Sequence, residues 1–584
     1  MSSESQIRDL LSVLRNAPLA ASVGWRHLGW GRWHAALIST RALPPTARRR
    51  VVDYLRRRRP SASAAAALAA VGDRDLALQI LDNAANGTRP ARLNSLVAAA
   101  VALDAPRKAA GLLQRLPTDD PQRPRLEALV AARTGHLKRA KQSADRAGWR
   151  AARLRNRLTG ELRALSTRPG TLSQQTPRRQ GVNRRTVLHL VTNALPDVTA
   201  GYTVRTQGIA AAQRRLGLDA RVVTRLGFPV TAGHLSATRL VYVNGVPIHR
   251  NLPVRWLPAT DDRILELDVD ETARLVERLE PAVLHAHSKY VNAQVALALR
   301  DRYGLPVVYE VRGFLEETWR SRGHDPNTDA YQLARDTETY CMAAADAVVT
   351  LSGSMRMEII ARGIDADRVV IVPNAVDDSF LKEPPGANRF RRRLGINPDE
   401  VVIGAVTTVN DYEGLDTLID AMAKLRDRGS AARLLVVGAG PALSALRRRA
   451  NDHGLADTVH FTGAVPFAAI HQHYAAIDVF VVPRDDTPVT RLVPPLKPLE
   501  AMATGRPVVA SDLPPLLEII DPQHTGAIAR AGDADSFVAA IEPLLSDPAE
   551  RSRIGGAARR WVAEHRTWAT AARTYYELYQ ALGH

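Results

Sequence analysis

In RLVPPLKPLEAMATGRPVVAS, residues 491–511, Lys497 and Glu500 stand one helical turn apart among prolines at 494, 495 and 498. Proline has no N–H to leave unsatisfied and a φ already near helical, so it suits a first turn. The helix is therefore expected to begin near Pro495 and to stop at Gly505. Those prolines leave few free N–H groups at the helix start, so an anion there would be held mainly by side-chain cations. Lys497 is the obvious one, with Arg491 and Arg484 just upstream in VPRDDTPVTRLVPPLK.

Further residues with chemistry close β-branched runs. Gly201 opens a segment that carries Arg205; a glycine there lets a ligand approach backbone N–H groups at a positive helix end. LHAHS supplies His285 and His287, YEVRGF supplies Glu310 and Arg312, and VPNAVD supplies Asn374, all on one expected sheet edge. Arg312 reads as a ligand clamp or as an ion-pair partner, and Asn374 as a base contact or a turn cap. His285 and His287 are expected on opposite faces of their strand, which argues against a zinc pair. Asp485–Asp486, beside Arg484, reads as a loop; no metal-binding carboxylate pair closes a strand. Gly438 and Gly440 do not complete a dinucleotide fingerprint, so a turn with Pro441 opening a helix is expected. The single cysteine, Cys341, excludes an internal disulfide and reads as a buried helical residue.

These residues need a scaffold, and the chain supplies two series of short β-branched runs alternating with helices. TVLHLVT, ARVVT, AVLHAH, PVVYEV, DAVVTLS and VVIVP form the first; VVIGAV, RLLVVG, TVHFTG, DVFVVP and RPVVAS form the second. Such alternation means parallel sheets with crossover connections, and ligands at the carboxyl ends of the strands. The expected class is α/β: Rossmann-like domains over 184–380 and 381–565, sheets facing a cleft, with a final helix at 566–584.

The first part, 1–165, reads as all-α. Turns at Gly72, Asp104 and Gly135 recur at nearly the period of tetratricopeptide-type hairpins, without that family's full signature. It serves either as a docking surface or as a layer covering its own neighbour. Trp25, Trp30 and Trp33 among Arg26, Arg32 and Arg41 suit a membrane interface or a buried cap. Residues 166–183 have linker composition.

At 584 residues the chain needs several cores. Its net charge of +19 is uneven: residues 1–180 hold 33 basic and 12 acidic residues, against 46 and 48 in the remainder. Clustered cations attract anionic lipid, nucleic acid or acidic polymers. With 72 of the 79 basic residues arginine, a GC-rich genome explains the choice of arginine but not the local lack of acids. No long apolar run and no basic-then-apolar leader is present, so a cytoplasmic location is expected, with peripheral contact at the inner membrane face.

From about Thr186 onward the chain resembles the retaining GT-B glycosyltransferases of family four. AGYTVRTQGIA, VLHAHS, VVYEVRG, VTLSGSMRMEI, VVIVPNAVD, DYEGLDTLIDAM, LLVVGAGPAL, VHFTGAVP and LKPLEAMATGRPVVAS carry the resemblance, in the family's order. It implies that Glu500 grips the ribose hydroxyls of a nucleotide-diphosphate sugar, with Gly201, Asn374, Arg484, Arg491 and Lys497 binding the donor. His287, Arg205 and Arg312 would act at the reacting centre, His287 orienting the sugar or acceptor. The final helix would cross back onto the first domain. Three positions depart from the pattern: Leu492 stands where a second acid is usual, and Thr407 and Glu413 fall near its usual Arg and Lys. A compensating set at Arg484, Arg491 and Lys497 would preserve the charge balance.

The expected activity is sugar transfer, with retention, from a nucleotide sugar to a glycan, lipid-linked or cell-envelope polysaccharide acceptor. No metal or other cofactor is expected, and residues 1–165 are the candidate contact for an anionic membrane or a protein partner, nucleic acid being disfavoured. Two alternatives share the fold: a nucleotide-sugar epimerase, and a scaffold whose donor site has degenerated at Leu492, Thr407 and Glu413.

Overall fold

The structure, a computed structural model, describes residues 3–27, 50, 61–70, 74–85, 90–167, 183–382, 386 and 388–583. Gly72, Trp30, Trp33, Arg32, Arg41 and nearly all of 166–183 lie outside them.

Two parallel sheets form the core. The first has strand order β3-β4-β2-β1-β5-β6-β7-β8, with β3 alone antiparallel; the second runs β11-β10-β9-β12-β13-β14. In the first sheet β1 spans Asn183–Val191, β2 Asp219–Thr224, β3 Leu240–Val243, β4 Val246–Arg250, β5 Pro281–His287, β6 Val307–Glu310, β7 Ala347–Thr350 and β8 Val369–Ile371. In the second, β9 spans Val402–Val406, β10 Arg433–Val437, β11 Val459–Gly463, β12 Val479–Val482, β13 Val508–Ser511 and β14 Gly526–Ala529. Their central strands are buried along their whole length, because helices cover both faces and leave no solvated side to alternate toward.

Two elements depart from the expected series. The β3–β4 hairpin adds an edge to the first sheet, and β14 adds one to the second. Asn244 and Gly245 turn the hairpin with φ of 45° and 78°, both in the left-handed region that a tight two-residue turn requires.

The helix Trp568–Ala581 leaves the second lobe and packs on the first, against the helix Gly201–Arg215. Gly208 is what lets it close: a Cβ there would stand 2.4 Å from the Trp568 ring. Tyr575 and Tyr579 on this helix are fully buried.

Ahead of the sheets, antiparallel helix pairs (Ala62–Ala70 with Arg74–Ala85, Pro90–Ala102 with Pro106–Gln114, Arg123–Arg133 with Leu137–Arg146) lead to Ala152–Ser166. Asp104 and Gly135 turn at φ of 55° and 86°. The last part of this array is a covering layer on the first lobe: Gln294 donates to the Ala164 carbonyl at 2.9 Å, the Ala330 N–H to Gly135 at 2.9 Å, and the Lys138 N–H to Asp329 at 2.6 Å. Trp25 is half exposed, with the Arg153 guanidinium over its ring at 4.3 Å. No described helix is long and apolar enough to cross a membrane.

Candidate active site between the two sheets

A cavity of about 450 Å³ opens between the carboxyl ends of the two sheets. The first lobe contributes Gly201, Tyr202, Arg205, Arg312 and Asn374; the second contributes Thr407 to Glu413 in part, Arg484 and the run Val493–Pro498. Gly201 starts its helix at the cavity wall, where an added Cβ would press on Leu496 at 3.2 Å. Asn374 joins the lobes: its amide donates to the Pro494 carbonyl at 3.0 Å while its Oδ1 accepts from Arg205 at 3.3 Å. Gly438 and Gly440 serve as close-approach residues, since a Cβ on either would collide with the Thr407 or Val409 carbonyl; the following helix begins at Leu443, after Pro441.

Strand register builds a buried polar network beneath the first-lobe wall. His189 on β1 pairs with His285 on β5, and His287 on β5 with Glu310 on β6. His285 and His287 are not on opposite faces: residues two apart on a strand share a face, and their rings stack at 4.3 Å. His189 Nδ1 and His287 Nε2 share a hydrogen bond of 2.9 Å, His189 Nε2 meets Gln213 at 2.8 Å, and His285 Nδ1 meets Tyr579 at 2.6 Å. Arg205 and Arg312 both donate to Glu310 Oε1, at 2.8 and 2.6 Å, and Tyr575 donates to Oε2.

Burial works to raise the Glu310 pKa, but Arg205 and then Arg312 outweigh it and hold the carboxyl well below its usual range. Burial, reinforced by His285, pushes His189 down to about 3; burial and Arg312 push His287 well below its ordinary value. The imidazoles are thus neutral, and two guanidinium groups share one carboxylate. One positive charge is left over under the cavity wall. The three histidines bring ligand atoms within 4.8 Å of one another, yet five of their six ring nitrogens are engaged with each other, Gln213, Tyr579 and Arg312, and the sixth, His285 Nε2, faces Glu310 Oε2 at 3.2 Å. Two guanidinium groups in the same network would repel a metal cation.

The candidate residues therefore divide. Gly201, Arg205, Arg312, Asn374, Arg484 and Lys497 line the cavity, whereas His287, Glu500 and Arg491 do not. His287 is 2 % exposed and lies behind Arg312, which takes its Nδ1. Arg205 and Arg312 are themselves engaged: Arg205 also donates to Pro373, Val372 and Tyr575, and Arg312 to Tyr202 and Thr206. Arg491 is exposed and ion-paired with Asp486. The proline-started helix begins at Lys497, two residues later than expected, and ends at Ala503 before Gly505. Pro494 and Pro495 line the cavity ahead of the helix.

Each second-lobe cation on the wall carries its own acid. Arg484 donates from two nitrogens to both Glu413 oxygens, at 3.1 and 3.3 Å. Lys497 donates to Glu500 Oε2 at 2.9 Å, and the Tyr474 hydroxyl donates to that same oxygen at 2.6 Å. The sequence reading missed His189, Gln213, Tyr474, Tyr575 and Tyr579. Only the last two had a signal, the closing helix that carries them.

Two family models cover most of the two lobes: one described as glycosyl transferase 4-like domain matches residues 200–375, and one described as glycosyl transferases group 1 matches 387–561. Among curated relatives, the chain is 31% identical over 261 residues to the GDP-mannose-dependent alpha-(1-6)-phosphatidylinositol monomannoside mannosyltransferase of Mycolicibacterium smegmatis, covering 44% of this chain and 68% of that one. It is 28% identical over 426 residues to the D-inositol 3-phosphate glycosyltransferase of Nocardia farcinica, covering 69% and 90%. Among solved structures, sucrose-phosphate synthase from Thermosynechococcus elongatus superposes with a TM-score of 0.56 at 20% identity, over 68% of this chain and 99% of that one. HepE from Anabaena in complex with UDP does so with 0.54 at 19%, over 68% and 100%. These matches fall on the lobes that build the cavity, and the chain belongs to the group 1 glycosyl transferases and is a glycosyltransferase of GT-B fold.

Proposed function

We propose that the protein transfers a sugar, with retention of anomeric configuration, from a nucleoside diphosphate sugar bound between the lobes to a lipid-linked or cell-envelope glycan acceptor. One observation carries this reading: the cavity brings the start of the Gly201 helix and Arg205, Arg312 and Asn374 of one lobe against Arg484 and Lys497 of the other. A leaving nucleoside diphosphate gathers negative charge, and preorganised cations with a helix N-terminus stabilise it as it forms. Lys497 supplies the side-chain contact to the diphosphate. Glu500 stands behind Lys497, off the cavity lining, with Lys497 and Tyr474 both on Oε2; in this reading Oε1 is the atom that accepts from the ribose hydroxyls. His287 then acts through Arg312 as a positioning residue. The name of the mycobacterial relative supports a mannose donor, and the names of both relatives support an inositol-based, anionic acceptor.

The test is a thermal-shift screen of GDP, UDP and ADP followed by transfer assays with the matching sugar nucleotides. A saturable shift with one diphosphate and transfer with retained configuration are expected. Binding without transfer to any glycan or glycolipid acceptor, or release of an epimerised sugar, would overturn the proposal.

A further inference from the structure

A second basic recess lies on the outer flank of the first lobe, between the three strands nearest one sheet edge, β2, β4 and β3, the loop after β4 and the helix Asp261–Leu279. It holds about 700 Å³ and shares no lining residue with the interlobe cavity. Six arginines line it, at 221, 239, 250, 255, 274 and 278, against one acid, Glu271.

Three of those arginines have acids of their own. Arg274 pairs with Glu271 at 2.9 Å, Arg250 with Asp197, and Arg221 with Asp219 at 2.7 Å, a carboxylate it shares with Arg214. Arg239 gives a single long bond to the Leu252 carbonyl, and Arg255 and Arg278 make no hydrogen bond or ion pair with the described residues. Two buried polar atoms are also unpartnered among the described residues, His249 Nε2 and Arg250 Nε, both on side chains that line the recess. Burial, then Arg221 and Arg278, push the His249 pKa down to about 4, as expected of a ring crowded by cations.

Unpaired guanidinium groups gathered around unsatisfied buried nitrogens lack one component, an acceptor-rich anion. Phosphate oxygens match the arginine fork in charge and geometry. We propose that this recess binds a phosphate-bearing group, independently of the donor cavity. That group has two possible sources. Exposed Leu240, Tyr242, Val254 and Trp256 belong to the same hairpin and loop. Side chains of that kind beside arginines suit a lipid headgroup entering from a bilayer, while a phosphorylated glycan would arrive from solution.

The test uses the full chain with two probes, inorganic pyrophosphate and phosphatidylcholine vesicles with or without phosphatidylglycerol. Amide exchange over residues 239–255 locates the contact. Arg255→Ala/Arg278→Ala is the test variant, and Arg530→Ala/Arg553→Ala, exposed on the second lobe, controls for loss of charge alone. Protection of 239–255 by at least one probe is expected, with affinity falling ~10-fold or more in the test variant for two lost charge-assisted contacts, and unchanged in the control. Pyrophosphate alone would identify a soluble source, and phosphatidylglycerol vesicles alone a lipid headgroup. Protection of only the interlobe loops, equal binding by the test variant, or equal loss in the control would overturn the proposal.

Discussion

Arg484 and Glu413 are joined by two hydrogen bonds across the second-lobe wall, one residue following β12 and the other the loop after β9. Arg484 can grip the donor or neutralise Glu413, and the two roles separate on mutation. Arg484→Ala should weaken nucleoside diphosphate binding by ~10- to 100-fold, losing a charge-assisted contact and exposing Glu413 to the ligand. Adding Glu413→Ala should restore only part of that loss, as measured by calorimetric titration. Full restoration would reduce Arg484 to a neutraliser.

Glu500 is nearly buried, with Lys497 and Tyr474 on one oxygen. Glu500→Ala should abolish transfer and also cost ~1–3 kcal/mol of stability, because the Tyr474 hydroxyl loses its acceptor in a buried site. Glu500→Gln keeps a carbonyl for Tyr474 and should recover most of the stability, yet still bind the ribose poorly. Chemical denaturation and a KM for the sugar nucleotide separate the two effects. Equal KM in Glu500→Gln and the parent would remove Glu500 from the donor site.

Gly208 faces the Trp568 ring with no room for a Cβ. Gly208→Ala should therefore push the final helix off the first lobe and loosen Tyr575 and Tyr579 from Glu310 and His285. The expected readout is faster proteolysis within 566–583 together with reduced transfer. A parent-like digestion pattern would show that the helix can shift without releasing its tyrosines.

The alternating β-branched runs were legible because a parallel sheet covered on both faces leaves its strands apolar throughout. The β3–β4 hairpin escaped notice, although Asn244–Gly245 is a hairpin turn signal, because Pro247 and the short LVYV run interrupt the pattern. Cavity lining was legible where a residue follows a strand end directly, as with Arg312, Asn374 and Arg484. Arg491 shows the limit: its loop turns it outward to Asp486, and chain position carries no record of that turn. The histidine network was invisible for a different reason. Gln213 and the tyrosines at 575 and 579 reach it from other helices, and only register and crossover packing bring them together.

Glu338 offers a test of the first lobe's core that is independent of catalysis. Its carboxyl is 2 % exposed and accepts hydrogen bonds from the Tyr309 hydroxyl at 2.5 Å and the Tyr290 N–H at 3.1 Å. Burial, then Glu316, push its pKa up to about 7. The folded protein therefore keeps a proton that the unfolded chain releases near its ordinary carboxyl pKa. Between roughly pH 4.5 and 7 this group's contribution to stability falls as pH rises, by up to ~3 kcal/mol, and above that window it stays at its lower value. Glu338→Gln removes the titration. Relative to Glu338→Gln, the parent should be more stable at pH 5 than at pH 8, as measured by denaturant titrations of both proteins at the two values. A stability difference independent of pH would show that the carboxyl titrates alike in the folded and unfolded chain.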